Sequence, residues 1–144
     1  MFLYQPTPSE LNEKWVTHML QHVGIEFTEV GHNYLKARMP VDARTQQTFG
    51  ILHGGASVVL AESVGSIAAN LCVAPDRQAC VGLDINANHL RTVRSGWVYA
   101  HAHPIHLGQS TQVWQIDLTN EDGQAVCASR LTMAVINKAQ PVYS

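Results

Sequence analysis

The sequence predicts an α+β fold in which an antiparallel sheet wraps around one long central helix. The first observation is a long apolar segment from Ala56 to Leu71, and the second is six shorter segments in which apolar and polar residues alternate. The third is that short turns join most of these segments, whereas parallel strands need long crossovers. The 144 residues suit a single domain, 1–144, that buries roughly two-thirds of its unfolded surface.

The chain before the central helix predicts one helix and two strands. Thr7-Pro8-Ser9-Glu10 is a capping-box sequence with proline at the first helical position. Apolar residues then recur at helical spacing as far as Gly24, where we expect this helix to end. The two strands are expected at 25–30 and 34–39, joined by a hairpin turn at 31–33.

The central helix carries a single ionisable residue, Glu62. A helix that is apolar around most of its circumference is typical of one enclosed by other structure, so we expect Glu62 to be buried. Burying a carboxylate is costly, and such a residue serves either a structural ion pair or a reaction. Small residues such as Gly65 should let a neighbouring element approach this helix closely.

The start of this helix, His53-Gly54-Gly55, favours the interpretation of Glu62 as a reactive group. Unpaired N–H groups at a helix start can face a ligand, and glycine places no Cβ in the way. The helix dipole also favours negative charge at that end. These features resemble an acyl-transfer site, where a carbonyl oxygen gains negative charge in the transition state and one N–H donor contributes roughly 3 kcal/mol.

Four further strands are predicted after the central helix. Their apolar and polar residues alternate, and turn sequences such as Ser95-Gly96 and Asn120-Glu121-Asp122-Gly123 separate them. The predicted strands are 80–90, 97–106, 112–119 and 125–136.

Composition excludes several classes of partner. The net charge of −2 gives no attraction to nucleic acid or to an anionic membrane. The N-terminal residues lack the pattern of a signal peptide, and the central helix is too short to span a bilayer. Three cysteines, an odd number without metal-ligand spacing, indicate reduced thiols in a cytoplasmic protein. Only 14% of residues are charged, which suggests that other subunits cover part of the surface.

Two clusters of polar residues have both a structural and a functional interpretation. His89-Leu90-Arg91 is either a solvated strand end or a grip for phosphate, for which arginine is well suited. His101 and His103 share one strand face, where a metal site is conceivable, but paired strand histidines are usually surface or interface residues. We therefore expect no metal and no cofactor. Trp15 and Met19 are expected to pack rather than to bind.

Nearly the whole chain resembles the hotdog-fold acyl-CoA thioesterases of the phenylacetate/hydroxybenzoyl-CoA type. It is most similar to the branch that contains 1,4-dihydroxy-2-naphthoyl-CoA thioesterases of menaquinone synthesis and enterobactin proofreading thioesterases. The segments that carry this resemblance are MPVD at 39–42, FGILHGGAS at 49–57, LAES at 60–63, VGLDINANHLR at 81–91, HLG at 106–108 and VWQI at 113–116.

The resemblance implies a role for each matching residue. Glu62 would be the catalytic carboxylate, attacking the thioester directly or activating water, and the Gly54 N–H would hold the carbonyl oxygen. His53 and Gln47 would flank the thioester, and Ser66, four residues after Glu62 and so on the same helix face, would face the water or the acyl ring. The implied CoA contacts are Gly82, Asn88, His89, Leu90, Arg91, His106, Leu107 and Gly108.

The resemblance further implies hydrolysis of an aromatic acyl-CoA, such as a dihydroxynaphthoyl-CoA or a hydroxybenzoyl-CoA, without metal or cofactor. The pocket would lie between subunits of a homo-oligomer, and this oligomer would be a dimer of dimers. Three alternatives remain open: proofreading hydrolysis of aryl groups misloaded on a carrier protein, dehydration of carrier-bound acyl chains, and a non-catalytic acyl-CoA-binding oligomer.

Overall fold

The structure is a computed structural model that describes residues 1–139. It contains the predicted central helix and six strands in the predicted order, and their ends differ from the expected ones by one or two residues. The elements are α1 Pro8–Lys14, α2 Met19–His22, β1 Glu26–Val30, β2 Leu35–Pro40, α3 Gly54–Leu71, β3 Gln78–His89, β4 Trp97–Leu107, β5 Thr111–Thr119 and β6 Ala125–Asn137.

The six strands form one antiparallel sheet in the order β1-β2-β4-β5-β6-β3, which confirms the predicted fold class. After α3 the chain crosses to the far edge of the sheet, where β3 pairs with β6 from Gln78 opposite Asn137 to His89 opposite Cys127. The long helix α3 packs on one face of this sheet. Helix α3 also contacts β3, which forms one edge of the sheet.

One side of α3 forms the centre of the core. A Cβ added at Gly65 would lie 2.7 Å from Leu131 Cδ2 and 3.0 Å from Ile116 Cδ1, so the expected close approach at this glycine is confirmed. The opposite side of the helix is only half-buried, which corrects the expectation of a fully enclosed helix. This uncovered side carries Val58, Val59, Glu62, Ser63 and Ser66.

The prediction of a single N-terminal helix up to Gly24 is wrong, because this segment forms two separate helices, α1 and α2. The capping box at Thr7 is present, but the helix ends at Lys14. The side chain of Asn12 makes two hydrogen bonds to the backbone of Phe27, with the Nδ2 donor 3.0 Å from the carbonyl oxygen and the Oδ1 acceptor 2.7 Å from the amide nitrogen. These bonds fasten α1 to β1, so the chain between them must fold back.

The chain folds back through a strained turn. His18 has φ 51° and ψ −122° and is the only non-glycine residue of 1–139 with a positive φ. The N–H of Leu20 donates to the carbonyl of Thr17 at 3.2 Å, so Thr17–Leu20 is a type II′ β-turn with His18 at its second position. Glycine is the usual residue at that position. A side chain in that conformation costs on the order of 1–3 kcal/mol.

The two edges of the sheet differ in length and in polarity. β1 is five residues long and carries charged side chains, with ion pairs Arg38–Glu26 and Lys36–Glu29 across the β1–β2 pair. β3 is twelve residues long, and its side chains Val81 and Leu83 are 45% and 62% exposed. Charges protect an edge strand from pairing with another chain, whereas a long apolar edge favours such pairing.

All three cysteines are free, as expected, and Cys80 and Cys127 are buried. Burial raises the pKa of the Cys80 thiol to about 11, so this thiol is protonated at neutral pH. Among the helices of residues 1–139, none has both the length and the apolar character needed to cross a membrane.

Candidate active site

The start of α3 presents an unused backbone donor. His53 is the N-cap: its Nδ1 accepts from the Gly55 N–H at 2.8 Å, and its carbonyl accepts from Ala56 and Ser57. The Gly54 N–H, by contrast, has no backbone acceptor within residues 1–139. It is one of the orphan donors of a helix start and is available to an oxygen with developing negative charge.

A pocket of about 410 Å³ lies against this helix start, and we call it the helix-start pocket. A Cβ added at Gly54 would lie 2.9 Å from His89 Nε2, so the absence of a side chain lets the end of β3 approach the helix. The structure thus brings together five of the predicted site residues, namely Gln47, Gly54, His89, Leu90 and Arg91. The pocket is lined by Gln47, Ile51, Leu52, Gly54, Ser57, His89, Leu90, Arg91, Thr92 and Val126.

The loop before α3 holds Gln47 at the wall of this pocket. The Gln47 N–H donates to the Ile51 carbonyl and its carbonyl accepts from the Gly50 N–H, both at 2.9 Å. Gly50 has φ 75°, a conformation that glycine adopts without strain. The Gln47 Oε1 accepts from the Phe49 N–H, which leaves the amide nitrogen free to donate. At the tip of the loop the Phe49 side chain is 83% exposed.

A second cavity, of about 440 Å³, lies over the uncovered side of α3, and we call it the Glu62 groove. Its walls are mostly apolar, and Glu62 is the only ionisable residue among them. Ser66 lies in the same groove, as its spacing from Glu62 predicted. The lining residues are Trp15, Met19, Leu20, Val59, Glu62, Ser63, Ser66 and Ile67.

Glu62 is only half-buried, which corrects the expectation of a buried carboxylate. Its Oε1 lies 2.7 Å from the position of a Cβ added at Gly82, so the carboxylate lies against β3 where that strand has no side chain. None of the four ion pairs among residues 1–139 includes Glu62. The interpretation of Glu62 as half of a structural ion pair therefore has no support.

The two cavities are separate within one chain. Gly54 and Glu62 are eight residues apart on α3, which corresponds to about 12 Å along the helix axis and about 80° of rotation. No residue lines both cavities. A single copy therefore does not bring the free N–H and the carboxylate to one carbonyl group.

The remaining predicted CoA contacts lie elsewhere. Asn88 is exposed and, since side chains alternate along a strand, lies on the face of β3 opposite to His89. Leu107 and Gly108 line a third cavity, of about 720 Å³, together with Cys72, the C-cap of α3. The helix is 18 residues long, so this cavity is about 27 Å from the helix start. His106, folded over Gly108, is at that same distant end.

The paired histidines of β4 form a small polar cluster on the sheet. The rings of His101 and His103 are 5.4 Å apart, and His103 Nε2 is 3.4 Å from Asp117 Oδ2. Burial lowers the pKa of His101, with a further contribution from the positive charge of Lys36. Within residues 1–139 there is no group of three or more His, Cys, Asp or Glu side chains placed to hold a metal ion.

A family model, the thioesterase superfamily, matches residues 49–127, which include both α3 and the end of β3. The chain belongs to the thioesterase superfamily. It is thus an enzyme that hydrolyses thioesters, which confirms the predicted family and enzyme class, and the dehydratase and non-catalytic alternatives are set aside.

Individual relatives agree with this assignment. The chain is 50% identical over 130 residues to the 1,4-dihydroxy-2-naphthoyl-CoA hydrolase of Escherichia coli, covering 90% of this chain and 94% of that protein. It is 46% identical over 130 residues to the proofreading thioesterase EntH of Cronobacter turicensis, with coverage of 90% and 94%. The crystal structure of a thioesterase from Haemophilus influenzae superposes with a TM-score of 0.93 at 48% identity, covering 99% of both chains. The hotdog fold is confirmed.

The sequence did not predict the outer wall of the Glu62 groove. Trp15 was expected to pack and is half-buried, but Met19 is 57% exposed, and both line the groove. Read as one continuous helix, the N-terminal segment places Met19 on an apolar, inward face. The only local sign of the break is the pair of β-branched residues Val16 and Thr17, which is a weak signal.

Proposed function

We propose that this thioesterase hydrolyses an aromatic acyl-CoA, with Glu62 as nucleophile or general base and the Gly54 N–H as oxyanion donor. The observation that carries the proposal is the Glu62 carboxylate, which has no ion-pair partner within residues 1–139 and lies in an apolar groove on the helix whose first N–H is unused. A carboxylate without an ion-pair partner in such a groove is available to attack a bound carbonyl group or to accept a proton from water.

The separation of the two cavities supports an active site shared between subunits. The long edge strand β3, on which Val81 and Leu83 are exposed, suits antiparallel pairing with β3 of a second copy, which gives a two-fold symmetric dimer. An axis near Ile85 and Asn86, the middle of the strand, would set Gly82 of each copy beside His89 of the other. Gly82 lies against the Glu62 carboxylate and His89 lines the helix-start pocket. The Glu62 carboxylate of each copy would therefore face the free Gly54 N–H of the other copy.

In such a site the chemistry needs no further group. Either Glu62 takes a proton from water as the water oxygen attacks the carbonyl carbon, or the carboxylate attacks first and water hydrolyses the resulting anhydride. In both routes the carbonyl oxygen becomes negative and accepts a hydrogen bond from the Gly54 N–H, and the C–S bond breaks as this intermediate collapses. In the first route the products are the carboxylic acid and the thiol, which receives the proton that Glu62 took from water. In the second route C–S cleavage gives the anhydride and the thiolate, and the water that hydrolyses the anhydride supplies the proton to the thiolate and regenerates Glu62. His53, Gln47 and Ser66 would orient the thioester and the water.

The groove and the relatives together support an aromatic acyl group. Apolar walls around a volume of about 440 Å³ provide space for a fused or single ring beside the carboxylate. The Escherichia coli relative is named for a naphthoyl-CoA substrate, which supports a place in menaquinone synthesis. The Cronobacter relative is named for proofreading, so the second candidate is hydrolysis of aryl groups misloaded on a carrier protein.

The CoA moiety would extend from the helix-start pocket. His89, Leu90 and Arg91 line that pocket, and arginine grips phosphate with paired donors. Gly82 and Asn88 would contact it along β3. Since His106, Leu107 and Gly108 lie at the other end of α3, they would reach CoA only from another subunit. Ile105 and Leu107 are 51% and 40% exposed, which supports a second contact and a dimer of dimers.

We further propose a single domain, residues 1–144, that acts in the cytoplasm. The three free cysteines support a reducing compartment, because thiols persist there. The predicted domain end at 140–144 lies outside the described residues. Sedimentation of the purified protein distinguishes a dimer from a tetramer.

A panel of thioesters tests the substrate class. The panel contains benzoyl-, naphthoyl- and decanoyl-CoA and the same aryl groups on a carrier protein. We expect the highest kcat/KM for the aryl-CoA compounds. A preference for decanoyl-CoA would contradict an aromatic substrate, and a preference for carrier-bound aryl groups would favour proofreading.

A further inference from the structure

The outer wall of the Glu62 groove comes from a part of the chain outside the matched family region. Residues 49–127 supply α3, whereas Trp15, Met19 and Leu20 come from the broken N-terminal segment. Trp15 and Leu20 are half-buried and pack against the core, which fixes them. Met19 is the exception, because 57% of it is exposed although it lines the groove.

Met19 is held in this place by the backbone rather than by its own packing. It is the third residue of the Thr17–Leu20 turn and follows directly after His18, the one non-glycine of residues 1–139 with a positive φ. Helix α2 has only four residues and no side-chain hydrogen bond at its N-cap. A strained conformation persists only where the surrounding structure enforces it, and such residues cluster at ligand-binding positions.

We propose that Met19, projected into the Glu62 groove by the turn at His18, determines which size of aromatic acyl group the enzyme accepts. This inference rests on the proposed function, because it assumes that the acyl group occupies the groove. Methionine suits the role, since its flexible thioether fills irregular space and makes favourable contacts with aromatic rings. The occupant is an aromatic acyl group whose ring would contact Met19, Val59 and Ile67, three apolar residues that line the groove.

The first test measures kcat/KM for benzoyl-CoA and naphthoyl-CoA in the wild type, Met19→Ala and Gln21→Ala. Gln21 is the matched control, since it is exposed on α2 and does not line the groove. Removing the Met19 side chain widens the groove, so the smaller ring loses more contact. We expect the naphthoyl-to-benzoyl ratio to rise about tenfold in Met19→Ala, the size of effect that a missing apolar contact gives. Gln21→Ala should keep the wild-type ratio.

The second test separates the turn from the imidazole ring of His18. His18→Gly removes the backbone strain, whereas His18→Ala keeps the Cβ that causes it. We expect His18→Gly to raise Tm by a few degrees and to raise the naphthoyl-to-benzoyl ratio about threefold, because Met19 is less firmly held. His18→Ala should keep the wild-type ratio.

The outcomes distinguish this inference from the function on which it rests. If the wild type hydrolyses both aryl-CoA compounds and Met19→Ala leaves their ratio unchanged, the role of Met19 is overturned while the proposed function stands. If His18→Ala shifts the ratio as much as His18→Gly, the turn does not position Met19. A wild type without activity toward any aryl-CoA overturns the proposed function and this inference with it.

Discussion

The helix-start pocket and the Glu62 groove lie along the same helix but have opposite chemistry. The pocket offers a free backbone N–H beside His89 and Arg91, which suits an oxygen and a phosphate. The groove offers one carboxylate among apolar walls. The carboxylate suits attack on a carbonyl carbon, and the apolar walls suit an aromatic ring. About 12 Å of helix separates them, so in the proposed function each cavity is half of a thioesterase site. Under the proposed function, a second copy of the chain would supply the missing half.

The largest effect is expected from removing the charge of the groove. Glu62→Gln keeps the size of the side chain but neither attacks nor accepts a proton, so kcat should fall by about 10²–10⁴-fold. Glu13→Gln, an exposed glutamate on α1, is the control for general effects of lost charge. Steady-state kinetics with naphthoyl-CoA measure the loss, and thermal unfolding checks the fold. A kcat near the wild-type value would remove Glu62 from the mechanism.

A smaller loss is expected from removing the N–H of the helix-start pocket. Gly54→Pro deletes that donor, and proline is well tolerated at the first position of a helix. His53, with φ −68° and ψ 130°, already has the extended conformation that a residue before proline prefers. We expect kcat to fall by about 10²–10³-fold.

Gly54→Ala is the matched control for this variant, because it keeps the N–H and brings a similar crowding against His89, the end of a flexible side chain. It should therefore retain most of the activity that Gly54→Pro loses. Equal losses in the two variants would show that crowding, rather than the missing donor, matters at this position.

The smallest effect is expected at the CoA end of the helix-start pocket. Arg91→Ala removes one cation from an exposed position, so KM for aryl-CoA should rise about tenfold with little change in kcat. The same aryl group on N-acetylcysteamine, which lacks the CoA phosphates, should be hydrolysed as by the wild type. Arg77→Ala, on the loop after α3, is the control. An equal effect on both substrates would exclude a contact between Arg91 and the nucleotide.

The sequence was sufficient for the sheet and the long helix because their signals are local. Alternation and turn residues define β2 to β6, and the long apolar segment after His53-Gly54-Gly55 defines α3. The N-terminal helix failed because its break depends on a long-range feature, the two hydrogen bonds from Asn12 to Phe27. Such tertiary contacts override helical periodicity and cannot be read from spacing.

The candidate site was predicted as a set of residues but not as an arrangement. The positions of Gly54 and Glu62 on one helix followed from the sequence, and their spacing of eight already implies that they are far apart. The missing information was which elements face each of them. Met19 was not predicted as a groove residue, because its place depends on the backbone conformation of His18.

Subunit complementation tests the shared site most directly. Glu62→Gln and Gly54→Pro chains, each nearly inactive alone, are co-expressed with different affinity tags, and the mixed dimer is purified. If each site combines Glu62 of one chain with Gly54 of the other, one of the two sites in that dimer is intact, and its activity should recover to about half of the wild-type value. If each chain forms its own complete site, both sites carry a defect and the mixed dimer stays as inactive as its parents, which would contradict the shared site.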